Sequence, residues 1–397
     1  MQHERDALIT GIGLISCLGE GADAHWAALN DPNGFQPVLD RASFAPYAVH
    51  PMTALTLDKQ IPKRGDQRQM EAWQRIGTYA AGAALESAGI KGDTAILERT
   101  DMIVAAGGGE RDYAVDQSIL SALPKAENPG AYLNEHLLGD IRPTLFLAQL
   151  SNLLAGNISL VHGVIGSSRT FMGEETSGAD AVRIACARIG AGSGDIFLVG
   201  GSYNAQRADV LLHYAMGRTL WKGEPTSVQG RMPAGGGMTI GSVGCFLVIE
   251  SRAHAAARGA RALAEIAGIE TGRCQRLPHQ ASEVAEGQLA ALGAKLDPSD
   301  SAVISGASGA LEATREELDW LATLGLPTRL TATALGHSVE PSFVANLALA
   351  AIAVSRGALF APLDASEQVT AAGTLKQALV TGWGPWRGES LALVTRP

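Results

Sequence analysis

Cysteine, aromatic residues and positive charge are all scarce in this 397-residue chain. Its four cysteines, Cys17, Cys186, Cys245 and Cys274, are far apart and form no Cys-x-x-Cys pair. That spacing argues against a disulfide framework or a thiolate metal site and is typical of a reduced cytoplasmic protein. Lys and Arg number 31 against 40 Asp and Glu, a formal net charge of −9. This balance argues against nucleic acid or an anionic membrane surface as the main partner.

Long apolar runs are absent as well. The most apolar stretch, residues 343–354, is shorter than the roughly 20 residues that a spanning helix needs, and it contains Asn346. The first residues lack the basic region and apolar core of a signal peptide. We therefore expect a cytoplasmic protein with no membrane span.

The sequence is instead rich in short β-branched runs, several ending in glycine, that alternate with Ala-rich stretches of helical spacing. This alternation predicts an α/β protein. The predicted strands are 7–10, 101–106, 195–199, 245–250, 262–269, 301–305 and 390–395, and the predicted helices are 70–87, 179–190 and 341–356.

The order of these elements partly recurs along the chain. Strand 301–305 ends in Gly306 much as strand 101–106 ends in Gly107, and each half closes with a strand. The recurrence favours two related half-domains, 1–250 and 251–397. Two independent α/β domains remain the alternative.

Four stretches resemble β-ketoacyl-acyl carrier protein synthases. They are ALITGIGLISCLGEGADAHWAAL (7–29), QIPKRGDQRQMEAWQRIGTYAAGAAL (60–85), DIFLVGGS (195–202) and FLVIESRAHAAARGAR (246–261). The resemblance implies the thiolase fold, with five αβαβα layers built from two duplicated halves, in a two-fold dimer. The Gly runs at 107–109 and 235–237 lack the spacing of a dinucleotide site, so we expect no cofactor. The scattered cysteines form no metal-ligand cluster, so we expect no metal.

The nucleophile loop of this family matches GSSRTFMGEETSGADA (166–181). The family holds its acyl chain on a cysteine at a helix N-terminus, where the helix dipole favours the thiolate. Glu175 stands at the position of that cysteine. A carboxylate is also stable at a helix N-terminus for purely structural reasons, so both interpretations stay open.

Two histidines of the family assist decarboxylation and stabilise the enolate. Ser305 stands at the first of them, in SGASGALEATREEL (305–318). His337 retains the second, in TATALGHSVEP (331–341), where Ala332 replaces the family's lysine. A structural role for His337 is the alternative.

The family's glycine-rich oxyanion loop matches GWGPWRGES (382–390). Trp383 aligns with a phenylalanine that supplies an oxyanion N–H and gates the acyl pocket. Pro385 replaces a glycine, which fixes φ and removes an N–H. An ordinary proline-stiffened turn is the alternative.

A cationic cluster, Lys63, Arg64 and Arg68, lies in the segment that matches the family's carrier-docking region. Acyl carrier proteins are acidic, so the cluster is a candidate docking site. An ordinary solvated helix face is the alternative.

Together these replacements resemble the chain length factor subunits, which pair with an active ketosynthase. The GEE loop and GGGERD (107–112) further resemble the synthases associated with very-long-chain fatty acids of lipid A. The expected partners are an acyl carrier protein and either a second copy or an active ketosynthase.

The alternative is an enzyme acting alone, as a 3-oxoacyl synthase or a malonyl-thioester decarboxylase using His337 and Glu175. A hydrolase or acyltransferase using Ser177 or Thr176 is disfavoured because no Gly-x-Ser-x-Gly motif is present.

Overall fold

A computed structural model describes residues 3–141, 143–369 and 375–397. The strands are β1 Ala7–Ser16, β2 Gly19–Glu20, β3 Asp101–Ala105, β4 Ser168–Phe171, β5 Ile196–Tyr203, β6 Val243–Ser251, β7 Ala264–Gly272, β8 Ser301–Ser305, β9 Thr328–Leu330, β10 Gln377–Trp383 and β11 Glu389–Thr395. The α-helices are α1 Gly21–Leu29, α2 Arg64–Gln69, α3 Ala72–Ser87, α4 Thr94–Leu97, α5 Tyr113–Ala122, α6 Pro129–Gly139, α7 Pro143–Ala148, α8 Leu153–His162, α9 Thr176–Gly190, α10 Ala208–Met216, α11 Val228–Arg231, α12 Arg252–Ala257, α13 Gln280–Leu292, α14 Leu311–Leu324, α15 Ala332–Leu335 and α16 Ser342–Arg356.

The strand order repeats. The first five-strand group runs β1-β6-β5-β3-β4 and the second runs β7-β11-β10-β8-β9. In each group the first two pairings are antiparallel and the last two are parallel. The groups join where β1 pairs with β7. This repetition agrees with the predicted α/β fold of two duplicated halves, whereas the division at residue 250 stays a prediction.

The helices form three layers around the two strand groups. Helices α3 and α8 cover the outer face of the first group, and α13 and α14 cover that of the second. Helices α9 and α16 lie between the groups and contact strands of both. The resulting order is helix, sheet, helix, sheet, helix. The central layer is the most deeply buried, and α16 is buried along almost its entire length, from Phe343 to Val354.

Two glycines that the sequence analysis placed just after the first strand lie inside it. Strand β1 continues through Gly11 and Gly13 to Ser16. A Cβ atom on Gly11 would lie 2.5 Å from the carbonyl oxygen of Ala84, and one on Gly13 would lie 2.0 Å from that of Ala80. These glycines therefore allow α3 to pack directly against the strand rather than ending it.

The predicted helix at 70–87 begins two residues later than expected, at Ala72. The side chain of Gln74 accepts a hydrogen bond from the Glu71 N–H at 3.0 Å, as in a capping box. Across the described ranges, no helix combines the length and the apolar character that a membrane span requires.

Candidate functional site

Glu175 and His337 are joined by a buried hydrogen bond. His337 Nε2 donates to Glu175 Oε1 at 2.7 Å. Glu175 immediately precedes α9, and His337 lies in the loop before α16. The backbone of His337 is fixed to the segment before β6, because its N–H donates to the Thr239 carbonyl at 2.8 Å. The fold therefore brings together two of the predicted site residues that lie 162 positions apart.

The turn between β10 and β11 closes over Glu175. A Cβ atom on Gly384 would lie 2.7 Å from Glu175 Oε2. Within the described part of the chain, that oxygen is buried and has no hydrogen-bond partner. Arg276 donates to the Gly384 carbonyl at 2.6 Å and holds the turn in place. One carboxylate oxygen of Glu175 thus accepts a hydrogen bond from His337, and the other is buried against Gly384.

A cavity of about 490 Å³ lies beside this pair. Its walls include Glu174, Val339, Glu340 and Tyr214. Glu174 and Val339 adopt positive φ angles of 58° and 53°, which is rare for any residue other than glycine and a genuine outlier for a β-branched one. Each directly precedes a buried glutamate, Glu175 or Glu340. Backbone strain of this kind is concentrated at functional sites.

Glu340 is the acidic group at the inner wall of this cavity. Burial raises the pKa of Glu340 to about 8, and the negative charge of Glu175 adds to the rise. Glu340 Oε2 has no hydrogen-bond partner among the described residues. Burial and the charge of Glu175 also raise the pKa of Glu174. The nearby cation, Arg207, is paired with Asp209 at 2.6 Å. The sequence analysis missed Glu340, although it lies three residues after His337 in the same motif.

Ser305 lies in a separate buried cluster and not against His337. Its hydroxyl donates to Glu317 Oε1 at 2.8 Å, and Thr381 donates to the same oxygen at 2.5 Å. Burial raises the pKa of Glu317 to about 7. Gly306 and His337 line one small space of about 10 Å³, near the smallest volume that holds a water molecule. Ser305, which the sequence resemblance aligns with the family's first histidine, is thus hydrogen-bonded to a carboxyl group.

Of the two tryptophans at the turn between β10 and β11, Trp386 lines the cavity and Trp383 does not. Trp383 is 1% exposed and packs in the core of the second strand group, with its ring 6.0 Å from that of Trp320. The resemblance implied a gating ring at Trp383, and the structure places that ring in the core instead. Pro385 lies in the turn, where the Gly384 N–H donates to the Gly388 carbonyl at 3.0 Å.

None of the four cysteines offers a thiolate at this site. Burial raises the pKa of Cys17 and of Cys186 to about 12, and it also raises the pKa of Cys245 and Cys274.

The hydroxyls beside Glu175 are engaged with the backbone. Ser177 donates to the Glu174 carbonyl at 2.7 Å, and Thr176 donates to the Gly173 carbonyl at 3.1 Å. Both side chains are buried. These bonds are the local contacts of a helix start rather than those of an activated nucleophile, which would need an adjacent base.

The cationic cluster is exposed on and next to α2. Lys63, Arg64 and Arg68 are all exposed. Trp73, five residues after Arg68, lines the 490 Å³ cavity. Five residues of extended chain span at most about 18 Å, so the backbone of Arg68 lies within that distance of Trp73, and the same reasoning places Lys63 within about 36 Å. In the ranges that the structure describes, no group of three or more His, Cys, Asp or Glu could hold a metal ion.

Two curated relatives show the range of similar proteins. The chain is 27% identical to Nodulation protein E of Rhizobium leguminosarum bv. trifolii over 273 residues, which cover 67% of this chain but only 63% of that protein. It is 26% identical to the oxytetracycline polyketide putative β-ketoacyl synthase 1 of Streptomyces rimosus, over 89% of this chain and 86% of that protein. The match to the first relative thus spans less than two thirds of its length.

Solved structures share the fold over the whole chain. The ishigamide ketosynthase/chain length factor superposes with a TM-score of 0.79 at 17% identity and covers 99% of both chains. A type II PKS acyl-carrier protein in complex with its ketosynthase, bound to the hexaketide, gives a TM-score of 0.72 at 16% identity and covers 99% of both chains. This likeness confirms the predicted thiolase fold.

The family model that matches is described as the N-terminal domain of β-ketoacyl synthases. It covers residues 4–255, more than half of the chain. The match includes the strands of the first group and the helix that begins after Glu175. Together with the fold, it places the chain in the β-ketoacyl synthase family.

Proposed function

We propose that this chain is a non-condensing subunit that pairs with an active ketosynthase and supports it, as a chain length factor does. The observation that carries the proposal is the buried hydrogen bond between His337 and Glu175, at the position where the family has its nucleophile. A glutamate there cannot form the thioester that condensation requires. The retained histidine donates to that glutamate and is therefore not free to serve a substrate.

The charge of the cavity also supports a role without condensation. A malonyl group carries a carboxylate, and it would enter a cavity whose wall includes Glu174 and Glu340, next to Glu175. Burial is the main cause of the raised pKa values of Glu174 and Glu340, and the negative charge of Glu175 adds to both. The same two effects disfavour a further carboxylate at this wall. Arg207, the cation at this wall, is already paired with Asp209. The arrangement is therefore unsuited to hold malonate for decarboxylation.

We extend the proposal to an acyl carrier protein that docks at Lys63, Arg64 and Arg68. The three exposed cations suit an acidic partner, and they lie close in sequence to Trp73 at the cavity wall. A two-fold dimer is part of the proposal, because a look-alike ketosynthase and a second copy would use the same face. Very-long-chain fatty acyl groups of lipid A are the proposed product class, on the strength of the GEE and GGGERD stretches. A cytoplasmic location remains a prediction.

The test compares the chain alone with the chain and a partner. The purified chain is incubated with acyl and malonyl carrier proteins, first by itself and then with the intact Cys-His-His ketosynthase encoded nearest to its gene. We expect no 3-oxoacyl product and no acyl adduct on residues 170–178 in the first case, and product in the second at a rate above that of the ketosynthase alone. An acyl group on residues 170–178 would overturn the proposal. The product's mass decides its chain length.

Three controls separate the alternatives. Conversion of malonyl to acetyl carrier protein by the chain alone, and its loss in His337→Ala, would identify a decarboxylase instead. The variant Lys63→Glu with Arg64→Glu should weaken carrier binding at least tenfold at low salt. Lys295→Glu with Lys376→Glu makes the same change of charge elsewhere on the surface and should leave binding unchanged. Equal effects of the two double variants would show that only net charge matters.

A further inference from the structure

A second cavity, of about 220 Å³, has in its wall an arginine that forms no ion pair with any carboxylate of the described residues. It shares no lining residue with the cavity beside Glu340. Its walls come from the segments after α1 and after α16, the segment before α11 and α11 itself, the segment before β6, and α15. It is therefore a separate feature of the fold, and the inference drawn from it does not depend on the proposed function.

The arginine is Arg231, at the end of α11, and it is only 2% exposed. Its Nε donates to the Thr226 carbonyl at 3.2 Å, and its Nη1 donates to the Gly237 carbonyl at 3.0 Å. A guanidinium has five N–H donors, so three of them have no acceptor among the described residues. No carboxylate of the described chain lies within 4.0 Å of it. Burial lowers the pKa of Arg231 to about 10, and no acidic neighbour opposes that effect.

A buried cation without a counter-charge is costly, and an anion that reaches it recovers part of that cost. The guanidinium suits planar oxyanions, because two parallel N–H groups can bind the two oxygens of one carboxylate. His50, also in the wall, adds no charge, because burial and the neighbouring Arg231 lower its pKa to about 3. Among the described lining residues, Arg231 is therefore the only charged side chain; Asp364, which accepts a hydrogen bond from Ser227 at 2.5 Å, is not one of them. A single cation in the wall matches a monoanion.

The remaining walls set the size and character of the ligand. Phe35, Leu39, Trp221 and Leu363 provide apolar surface. Pro37, Gly223 and Thr226 line the cavity and are exposed, so it has a rim that solvent reaches. The volume is below the roughly 300–1,000 Å³ of sites for drug-sized ligands. A single ring or a short branched chain suits this space.

We propose that this cavity binds a small monocarboxylate with an apolar body. The carboxylate accepts hydrogen bonds from the free N–H groups of Arg231, and the apolar body packs against Trp221 and Phe35. The two carbonyl contacts of Arg231 orient the guanidinium before the ligand arrives, so binding requires little reorganisation.

The test uses 4-fluorobenzoate as the probe and 4-fluorobenzamide as its neutral match. Each is titrated into the full chain and followed by ligand-observed fluorine NMR. We expect saturable binding of the benzoate, with the amide at least tenfold weaker. Equal affinities, or no benzoate binding at 20 mM, would overturn the proposal. Inorganic phosphate as a competitor should displace the probe poorly, and displacement at equal concentration would identify a general anion site instead.

Variants locate the binding. Arg231→Gln should weaken benzoate binding at least tenfold and leave amide binding unchanged. Leu39→Trp fills the cavity and leaves the hydrogen bonds of Arg231 intact, so it should weaken the binding of both probes. If Arg231→Gln does not fold, Leu39→Trp still tests whether the probes bind in this cavity. Arg261→Gln removes the same charge from an exposed position. Equal weakening by Arg261→Gln would show that the effect is one of net charge and would refute the site.

Discussion

Truncating either partner of the Glu175–His337 pair should destabilise the protein far more than truncating a similar pair at the surface. The two side chains are 6% and 2% exposed and are joined at 2.7 Å. Removing one partner of a buried pair costs about 3–5 kcal/mol, because the other partner stays buried without its hydrogen bond. We expect Glu175→Ala and His337→Ala each to cost about 3 kcal/mol. Independent effects would add to about 6 kcal/mol, but we expect about 4 in the double variant, a coupling of about 2.

The assay is urea unfolding, monitored by tryptophan fluorescence. All variants are measured at the same protein concentration, so that any contribution of dimerisation to stability is the same for each. A coupling of about 2 kcal/mol is a factor of roughly 30 in the folding equilibrium. The control is the His136–Asp140 pair, joined at 2.6 Å but with 32% and 44% of its side chains exposed. Its coupling should lie between about 0 and 1 kcal/mol. If the two couplings were equal, burial would not be the source of the effect and the reasoning would be wrong.

Three further predictions concern the groups around this pair. Because burial raises the pKa of Glu340 from 4.5 to about 8, the folded state keeps a proton that the unfolded state loses between these values. The free energy of unfolding of the parent therefore falls by about 1.4 kcal/mol per pH unit over that range. Glu340→Gln has no titrating group at that position, so its urea midpoint minus that of the parent should rise from pH 5 to pH 8. A difference that does not change with pH would contradict this prediction. Ser305→His should cost about 1–3 kcal/mol by overpacking, because Ser305 has no exposed surface and contacts Glu317, and an unchanged urea midpoint would count against it. Glu175→Cys should react slowly with iodoacetamide yet yield no 3-oxoacyl product by mass spectrometry, since Ser305 offers no imidazole; product from this variant alone would show that Ser305 does not limit the reaction.

The sequence alone determined the family and the α/β class, and it predicted the replacements at the active-site positions. Each of these depends on local motifs, which survive in the order of the residues whatever their packing. Glu175, Ser305 and His337 could be named because each lies inside a motif that matches the family. The positions of seven strands and three helices followed from periodicity, whereas strands such as β4 and β10 were missed. The ends of the predicted elements did not follow from periodicity, because Gly11 and Gly13 serve the contact between β1 and α3 and are not turn residues.

Only the tertiary structure decided what those residues do to one another. The bond between His337 and Glu175, the cluster of Ser305 with Glu317, and the burial of Trp383 all join segments that are distant in sequence. The same is true of Arg231, which lacks a carboxylate partner in the described part of the chain because of how several loops pack around it. Pairing, burial and the resulting pKa values depend on the distances between side chains and on their exclusion from water. A local sequence motif specifies neither the distances between side chains nor their exclusion from water, so the chemistry of this site depends on tertiary packing.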